Sequence, residues 1–139
     1  MAENMSSIGE KVFDLTLPLV SYFDGRRFNR GIIDRIGKRT KIEYLKLKFF
    51  CVSTDLCSYS QAVHLSGLCW KFVRASMSLH GYLPPISENG QLLLDGGYTS
   101  LVPVDIMSKE LQPRVVIAVD VSREKVRIYI NFYSLMHRY

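Results

Sequence analysis

The sequence predicts an α/β fold in which helices pack on the faces of a β-sheet. Segments with strand-like and helix-like patterns alternate along the chain, as in folds of this class. Residues 114–121 form a continuous apolar run rich in β-branched residues, which is typical of a strand buried on both faces. Apolar residues make up 47% of the 139 residues and charged residues 22%, so the chain can bury a core.

The first third of the chain contains one ambiguous element and one helix. Residues 10–22 carry an apolar pattern that ends near Pro18, which indicates either a helix end or a strand leading into a loop. A turn at Asp24-Gly25 follows. Apolar residues at helical spacing then predict a helix over residues 28–36.

The middle of the chain predicts a strand pair and a second helix. Residues 44–55 are rich in β-forming residues and end in a polar cluster, which indicates a strand, and residues 62–68 are its candidate partner. Residues 70–79 have helical character and stop at Gly81.

The last third predicts a hairpin, a helix and two strands. Asn89-Gly90 is the strongest short-turn signal in the chain, and residues 91–94 form a short apolar strand after it. Pro103 suits the first turn of a helix that runs toward Leu111. Residues 125–139 alternate at first and indicate a final strand.

The net charge of +5 is concentrated in one segment. Residues 26–48 contain nine Lys and Arg against two acidic residues, or +7, while the rest of the chain has nine basic and eleven acidic residues. Such a stripe is either a solvated surface or a contact for anionic lipid headgroups, with Arg26, Arg27, Lys38 and Arg39 as candidates. No nucleic-acid motif accompanies it, so we expect no nucleic-acid partner.

The cysteines and the apolar runs bound the cellular setting. Cys51, Cys57 and Cys69 form no CxxC pair, which suits a reducing, intracellular compartment. Together with His64 they lack the tight spacing of zinc ligands, so we expect neither a metal nor a cofactor. We also expect no signal peptide in residues 1–11 and no membrane span, because no run reaches ~18 apolar residues.

The stretch Asp95-Gly96-Gly97 is the most informative motif. It follows an apolar strand, where α/β sheets place functional groups. The glycines allow a sharp turn and a close approach to the carboxylate, which a general base requires. Alone, the motif is either a bare turn or a catalytic carboxylate. Ser76 and Ser78 lie in a predicted helix without a nucleophile elbow, so we expect them to make structural contacts.

Three motifs occur in order: Val73-Arg74-Ala75-Ser76-Met77-Ser78, Gly81-Tyr82-Leu83-Pro84-Pro85 and Leu94-Asp95-Gly96-Gly97-Tyr98. Their order and spacing resemble the patatin-like phospholipase domain, and more narrowly its neuropathy target esterase and lysophospholipase branch. The resemblance assigns residues 1–122 to the C-terminal part of that domain, a partial three-layer sheet with helices on its faces. Residues 123–139 form a divergent tail.

The resemblance implies a hydrolase of lysophospholipids or phospholipids with a Ser–Asp dyad and no histidine. Asp95 matches the proton acceptor, within the motif Asp95, Gly96 and Gly97. The family's Gly-x-Ser-x-Gly elbow and glycine-rich oxyanion loop do not occur in the 139 residues, so we expect no ester turnover by this chain alone. The family also has asparagines after the position of Tyr98, and their absence here predicts a looser Asp95.

Two explanations stay open. The chain is either a fragment of a lipid-ester hydrolase, or a non-catalytic protein that binds a membrane or a lipase partner through residues 26–48. Esterase members of the family are held at the endoplasmic reticulum membrane by segments outside the lipase domain, so the resemblance implies a membrane-associated location.

Overall fold

The computed structural model describes residues 21–121 and 127–132 of the chain. These residues belong to two compact units, one ending at Thr99 and the other beginning at Ser100. The predicted element at residues 10–22 lies outside the described residues, apart from its last two positions. Ser21 pairs with Gly81 in an isolated parallel bridge.

The first unit is built on a four-stranded antiparallel sheet. Its strands are β1 (Cys51–Asp55), β2 (Ser60–His64), β3 (Ile86–Glu88) and β4 (Gln91–Asp95), in the order β2-β1-β4-β3. The predicted turn at Asn89-Gly90 joins β3 to β4. Both of its residues have positive φ, 49° and 80°, as a two-residue hairpin with a type I′ turn requires.

Two helices accompany this sheet, and both were predicted. Helix α1 (Arg26–Ile36) ends at Gly37, whose φ of 96° suits glycine. Helix α2 (Cys69–Ser76) packs against β1 and β4, and α1 packs against α2. The core between α2 and the sheet is formed by residues that are each less than a tenth exposed: Ile42, Cys51, Cys69, Phe72, Ala75 and Leu93. The mixed α/β class is therefore confirmed.

The strand predicted over residues 44–55 begins later than the sequence indicates. Only Cys51–Asp55 are paired, and a 3-10 turn at Ile42–Tyr44 precedes them. Ile42 and Leu45 both pack into the core. Their spacing of three residues is that of a helical turn, which draws the chain away from strand geometry at this point. The partner strand also differs, since it ends at His64.

The second unit contains a short helical segment and a two-stranded sheet. Helix α3 (Val104–Ile106) follows Pro103 as predicted, and the chain continues as a π-helical turn, Met107–Leu111. Strands β5 (Val115–Asp120) and β6 (Arg127–Phe132) pair antiparallel.

Strand β5 exists where predicted, but its burial pattern is different from the prediction. Val116 and Ala118 are buried, whereas Ile117 and Val119 are 63% and 52% exposed. The expectation of burial on both faces is therefore wrong for this structure. An antiparallel sheet can pack one face on the core and expose the other face to solvent. The β-branched composition of the strand does not show whether one face or both are buried.

One buried polar pair connects β1 with β2. A hydrogen bond of 2.6 Å joins Ser53 Oγ to His64 Nε2, and both side chains are buried. The imidazole also stacks on Phe72, with ring centroids 4.0 Å apart. Burial lowers the pKa of His64, because the imidazolium loses its hydration inside the fold.

This lowered pKa predicts a loss of stability in mild acid. Below pH ~6.5, the ordinary pKa of histidine, His64 is protonated in the unfolded chain but stays neutral in the folded chain. The free energy of unfolding therefore decreases as the pH is lowered. The loss levels off below the folded pKa. Urea denaturation between about pH 7.5 and about pH 5.5 measures this slope. His64→Gln should flatten it and His80→Gln, at an exposed site, should not; equal slopes in both variants would contradict the assignment.

Candidate active site

Asp95 is the last residue of β4, and its main chain is held from two sides. Its N–H donates to the Ser78 carbonyl at 3.1 Å. Its own carbonyl accepts a hydrogen bond of 2.9 Å from Thr54 Oγ1 on the neighbouring strand β1. The Thr54 hydroxyl also lies 3.0 Å from the hydroxyl of Thr99. These hydrogen bonds fix the main chain of Asp95 independently of any contact made by its side chain.

The Asp95 carboxylate is half-buried and uses only one of its oxygens inside the fold. Oδ1 accepts a hydrogen bond of 2.7 Å from the Gly97 N–H, at the start of the 3-10 turn Gly96–Tyr98. Within the described part of the chain, Oδ2 accepts no hydrogen bond. The carboxylate is thus oriented by one oxygen and has acceptor capacity left on the other.

A second strand-end carboxylate, Asp55, shows the contrasting case. Its oxygens accept hydrogen bonds from four groups: the N–H of Cys57, the N–H of Leu92, the Ser58 hydroxyl and the Gln91 amide. Hydrogen bonds from the Cys57 N–H and the Ser58 hydroxyl lower its pKa most. Both of its oxygens are occupied, so Asp55 stabilises the fold, and of the two carboxylates Asp95 alone has an oxygen open for chemistry.

Gly96 explains why glycine follows the aspartate. It is buried, and a Cβ at this position would lie 2.3 Å from the Val52 carbonyl oxygen and 2.8 Å from its carbon. These are backbone atoms of β1 and cannot rotate away. The close approach lets β4 turn immediately after Asp95 while it remains packed on β1.

A buried arginine supports the segment that binds the Asp95 N–H. Arg74, on α2, is fully buried, and its guanidinium donates to Asn29 Oδ1 at 2.8 Å, to the Pro84 carbonyl at 3.3 Å and to the Ser78 hydroxyl. The Ser78 hydroxyl in turn donates to the Arg74 carbonyl at 2.9 Å. Burial lowers the pKa of Arg74, since in the described residues its acceptors are all neutral.

Sequence reasoning treated the segment of Arg74 and Ser78 only as a family motif, and it assigned no role to Thr54. Ser78 makes the structural contacts expected of it. The available signal in the sequence was Arg74 itself, a charged residue whose neighbours in the helix are small or apolar. Such neighbours indicate burial, and a charged side chain is buried only when its donors are hydrogen-bonded. Thr99 bonds to Thr54 and also to the Gly96 carbonyl at 3.3 Å.

Neither of the two described histidines, His64 and His80, forms a charge-relay arrangement with Asp95. His64 is bonded to Ser53, which is fully buried and closed to a substrate. His80 is exposed, and its backbone N–H donates to the Tyr98 hydroxyl at 3.0 Å. His137 lies outside the described residues.

The four basic residues predicted to contact anionic lipid are all exposed, but they form two pairs instead of one cluster. Arg26 and Arg27 begin α1, and Lys38 and Arg39 follow its end. An eleven-residue helix separates the pairs by ~16 Å. Arg26 is also paired with Asp24, at 2.6 Å.

The three cysteines differ in their burial. Cys51 and Cys69 are buried in the core, while Cys57 is exposed. Desolvation, with a smaller contribution from Cys69, raises the pKa of the Cys51 thiol to about 12. Among residues 21–121 and 127–132, no group of three or more His, Cys, Asp or Glu side chains is arranged to bind a metal ion.

No family model matches the chain, but individual proteins do. Lysophospholipase NTE1 of Meyerozyma guilliermondii is 44% identical over 131 residues, which cover 94% of this chain and 9% of that protein. Patatin-like phospholipase domain-containing protein 6 of Homo sapiens is 44% identical over 125 residues, 88% of this chain and 9% of that protein. The chain is related to a segment of the patatin-like phospholipases.

A third relative agrees with the first two. Patatin-like phospholipase domain-containing protein 7 of Rattus norvegicus is 43% identical over 122 residues, 86% of this chain. The resemblance predicted from the three motifs is thereby confirmed. The chain spans about a tenth of the length of these relatives, 9% in each case. Within its described residues, no helix combines the length and the hydrophobicity that a membrane crossing needs.

The surroundings of Gly96 and Gly31 predict opposite effects of replacing each glycine by alanine. Gly96→Ala should lower the free energy of unfolding by about 3 kcal/mol, because its Cβ overlaps the backbone of β1. Gly31→Ala should raise it by about 0.5–1 kcal/mol, since nothing lies within 4 Å of that helical position. Urea denaturation of both variants measures the difference. A Gly96→Ala variant as stable as the wild type would show that β1 and β4 are not packed this closely.

Proposed function

We propose that this chain is a segment of a patatin-like serine hydrolase of lysophospholipids or phospholipids, and that Asp95 is its general base. The observation that carries the proposal is the carboxylate of Asp95, held by its main chain and by Gly97 through one oxygen, with the other oxygen open. The printed names of the relatives, lysophospholipase and patatin-like phospholipase, support the substrate class.

In this mechanism Asp95 takes the proton of a serine hydroxyl directly as the serine attacks the ester carbonyl. The serine, in a Gly-x-Ser-x-Gly elbow, and the oxyanion-hole N–H groups would come from residues outside the 139 of this chain. Each missing oxyanion donor costs roughly 10²–10³ in rate. We therefore expect the 139 residues by themselves to have no esterase activity.

The proposal is tested by placing this chain in a complete relative. In lysophospholipase NTE1 of Meyerozyma guilliermondii, the homologous segment is replaced by these 139 residues and lysophospholipid hydrolysis is measured. Asp95→Asn should lower kcat about 10²–10⁴-fold, because the amide is no base. It should leave stability nearly unchanged, since the amide oxygen can still accept from the Gly97 N–H. Asp34→Asn, at an exposed carboxylate on α1, is the matched control.

The outcomes separate catalysis from folding. A loss of activity in Asp95→Asn with an unchanged urea midpoint supports the role of general base. An active Asp95→Asn chimera refutes it. Asp95→Ala should be inactive and also less stable by about 1 kcal/mol, because it removes the acceptor of the Gly97 N–H as well.

A second candidate function rests on the basic segment, residues 26–48. We propose that this segment attaches the protein to an anionic membrane surface. The exposure of Arg26, Arg27, Lys38 and Arg39 favours it. In this reading the chain acts as a non-catalytic binding protein if no nucleophile is joined to it.

Salt dependence tests this attachment. Replacement of the four residues by Gln should weaken binding to vesicles that contain phosphatidylserine, and the binding of the wild type should fall as salt screens the attraction. Co-sedimentation measures both effects. Binding that is unchanged by the substitutions or by salt would rule out this role for the basic segment.

A further inference from the structure

Two threonine hydroxyls lie beside the main chain of Asp95. Thr54, on β1, is 8% exposed, and its hydroxyl oxygen lies 2.9 Å from the Asp95 carbonyl oxygen. Thr99 follows the 3-10 turn Gly96–Tyr98, and its hydroxyl lies 3.0 Å from that of Thr54 and 3.3 Å from the Gly96 carbonyl. The Thr99 N–H donates to the same Gly96 carbonyl at 3.1 Å. We call Thr54 and Thr99 the threonine pair.

The distances assign a direction to the hydrogen bonds of the threonine pair. Each hydroxyl has one proton, and a carbonyl can only accept. If Thr54 donates to the Asp95 carbonyl, Thr99 must donate to Thr54, and these bonds use the contacts of 2.9 and 3.0 Å. The opposite direction ends at the Gly96 carbonyl through the longer contact of 3.3 Å, and it leaves the Asp95 carbonyl without the Thr54 proton. We therefore assign the direction from Thr99 through Thr54 to Asp95.

The threonine pair holds both peptide groups between Asp95 and Gly97. Thr54 binds the carbonyl of the first group, which joins Asp95 to Gly96. The second group joins Gly96 to Gly97, and its carbonyl accepts from the Thr99 N–H. The N–H of this second group donates to Asp95 Oδ1 at 2.7 Å. Because a peptide group is planar, fixing its carbonyl also fixes its N–H, so the orientation of the Asp95 carboxylate depends on both threonines.

We propose that Thr54 is a positioning residue for the general base Asp95, and that Thr99 holds the Thr54 hydroxyl in the direction that this role requires. Direct proton transfer from a serine needs the carboxylate oxygen within about 3 Å of the serine hydroxyl. A displacement of about 1 Å in such an arrangement lowers the rate about 10²-fold. Thr54 acts through the main chain of Asp95, from the neighbouring strand, so its role requires no contact with the substrate.

This inference rests on the proposed function, because a positioning residue needs a base to position. The experiment therefore uses the chimera of lysophospholipase NTE1 that carries these 139 residues, in which hydrolysis can be measured. An Asp95→Asn chimera that keeps its activity would overturn the proposed function and this inference with it. An inactive Asp95→Asn chimera beside a Thr54→Val chimera with unchanged kcat would overturn this inference alone.

The central variant is Thr54→Val, which removes the hydroxyl and nearly keeps the shape of the side chain. We expect kcat for lysophospholipid to fall about 10–100-fold, because the carboxylate is no longer held in place. KM should change by less than about twofold, since the lost interaction serves the transition state and not substrate binding. Thr54→Ser keeps the donor and should restore most of kcat. A Thr54→Ser chimera as slow as Thr54→Val would overturn the proposal.

Thr40→Val is the matched control for lost stability. The Thr40 hydroxyl donates to the Ile36 carbonyl at 2.7 Å, just after α1, so this variant loses a hydrogen bond of the same kind in the same unit. Urea denaturation of the 139-residue variants should show a lower midpoint for Thr40→Val and for Thr54→Val. Only Thr54→Val should lower kcat in the chimera. Equal losses of kcat in both variants would show that lost stability lowers the rate, and would overturn the proposal.

Two further variants separate positioning from folding. In Asp95→Asn the base is already absent, so adding Thr54→Val should lower kcat no further, whereas two independent effects would multiply. A multiplied loss would overturn the proposal. Thr99→Val should lower kcat less than Thr54→Val does, because water can replace the hydroxyl of an exposed residue. This variant also tests the proposal if Thr54→Val does not fold, and an unchanged kcat in it would overturn the direction assigned to the threonine pair.

Discussion

The contact of Gly96 with the Val52 carbonyl is the constraint on which the candidate site depends. It brings the turn after β4 onto the backbone of β1, at a separation that excludes any side chain at position 96. The same approach places Thr54 within hydrogen-bonding distance of the Asp95 carbonyl. If the two strands separated by the width of a methyl group, the Thr54 hydrogen bond would lengthen beyond its useful range. The position of Asp95 therefore depends on how closely the backbones of β1 and β4 approach each other.

The buried Arg74 shows how the second support of Asp95 is stabilised. A guanidinium removed from water loses much hydration energy, and the loss is tolerated when its donors are satisfied. Here the acceptors come from three separate segments, at Asn29, Ser78 and Pro84. One side chain thereby ties α1, the end of α2 and the segment before β3 together. Removal of a single acceptor would leave a buried charge underpaired, so the network is cooperative.

Sequence patterns predicted the elements that depend on interactions between residues close together in the chain. Asn89-Gly90 specifies its own hairpin because its residues tolerate positive φ, and Gly37 ends α1 for a similar reason. Asp95 also lies at the end of a strand, as the apolar run before it predicted. In each case the decisive interaction lies within a few residues of the signal.

Predictions failed where the outcome depends on distant partners. The alternation over residues 44–50 is that of a strand, but no pattern within it shows that a neighbouring strand is missing. The exposure of Ile117 has the same origin, since its composition does not reveal whether a second layer covers it. Arg74 was overlooked as a support because its acceptors are up to 45 residues away in sequence. Such contacts are set by topology.

A carboxylate that takes a serine proton without an intervening histidine has little tolerance for error in its position. A histidine between the two can adjust by rotating its ring, whereas direct transfer requires the carboxylate oxygen itself to lie within about 3 Å of the hydroxyl. In the mechanism proposed above, this requirement accounts for the hydrogen bonds that hold Asp95 through its N–H, its carbonyl and one carboxylate oxygen, at Ser78, Thr54 and Gly97. The contrast with Asp55 follows from the same logic. A structural carboxylate gains stability by filling both oxygens, whereas a general base must keep one oxygen open.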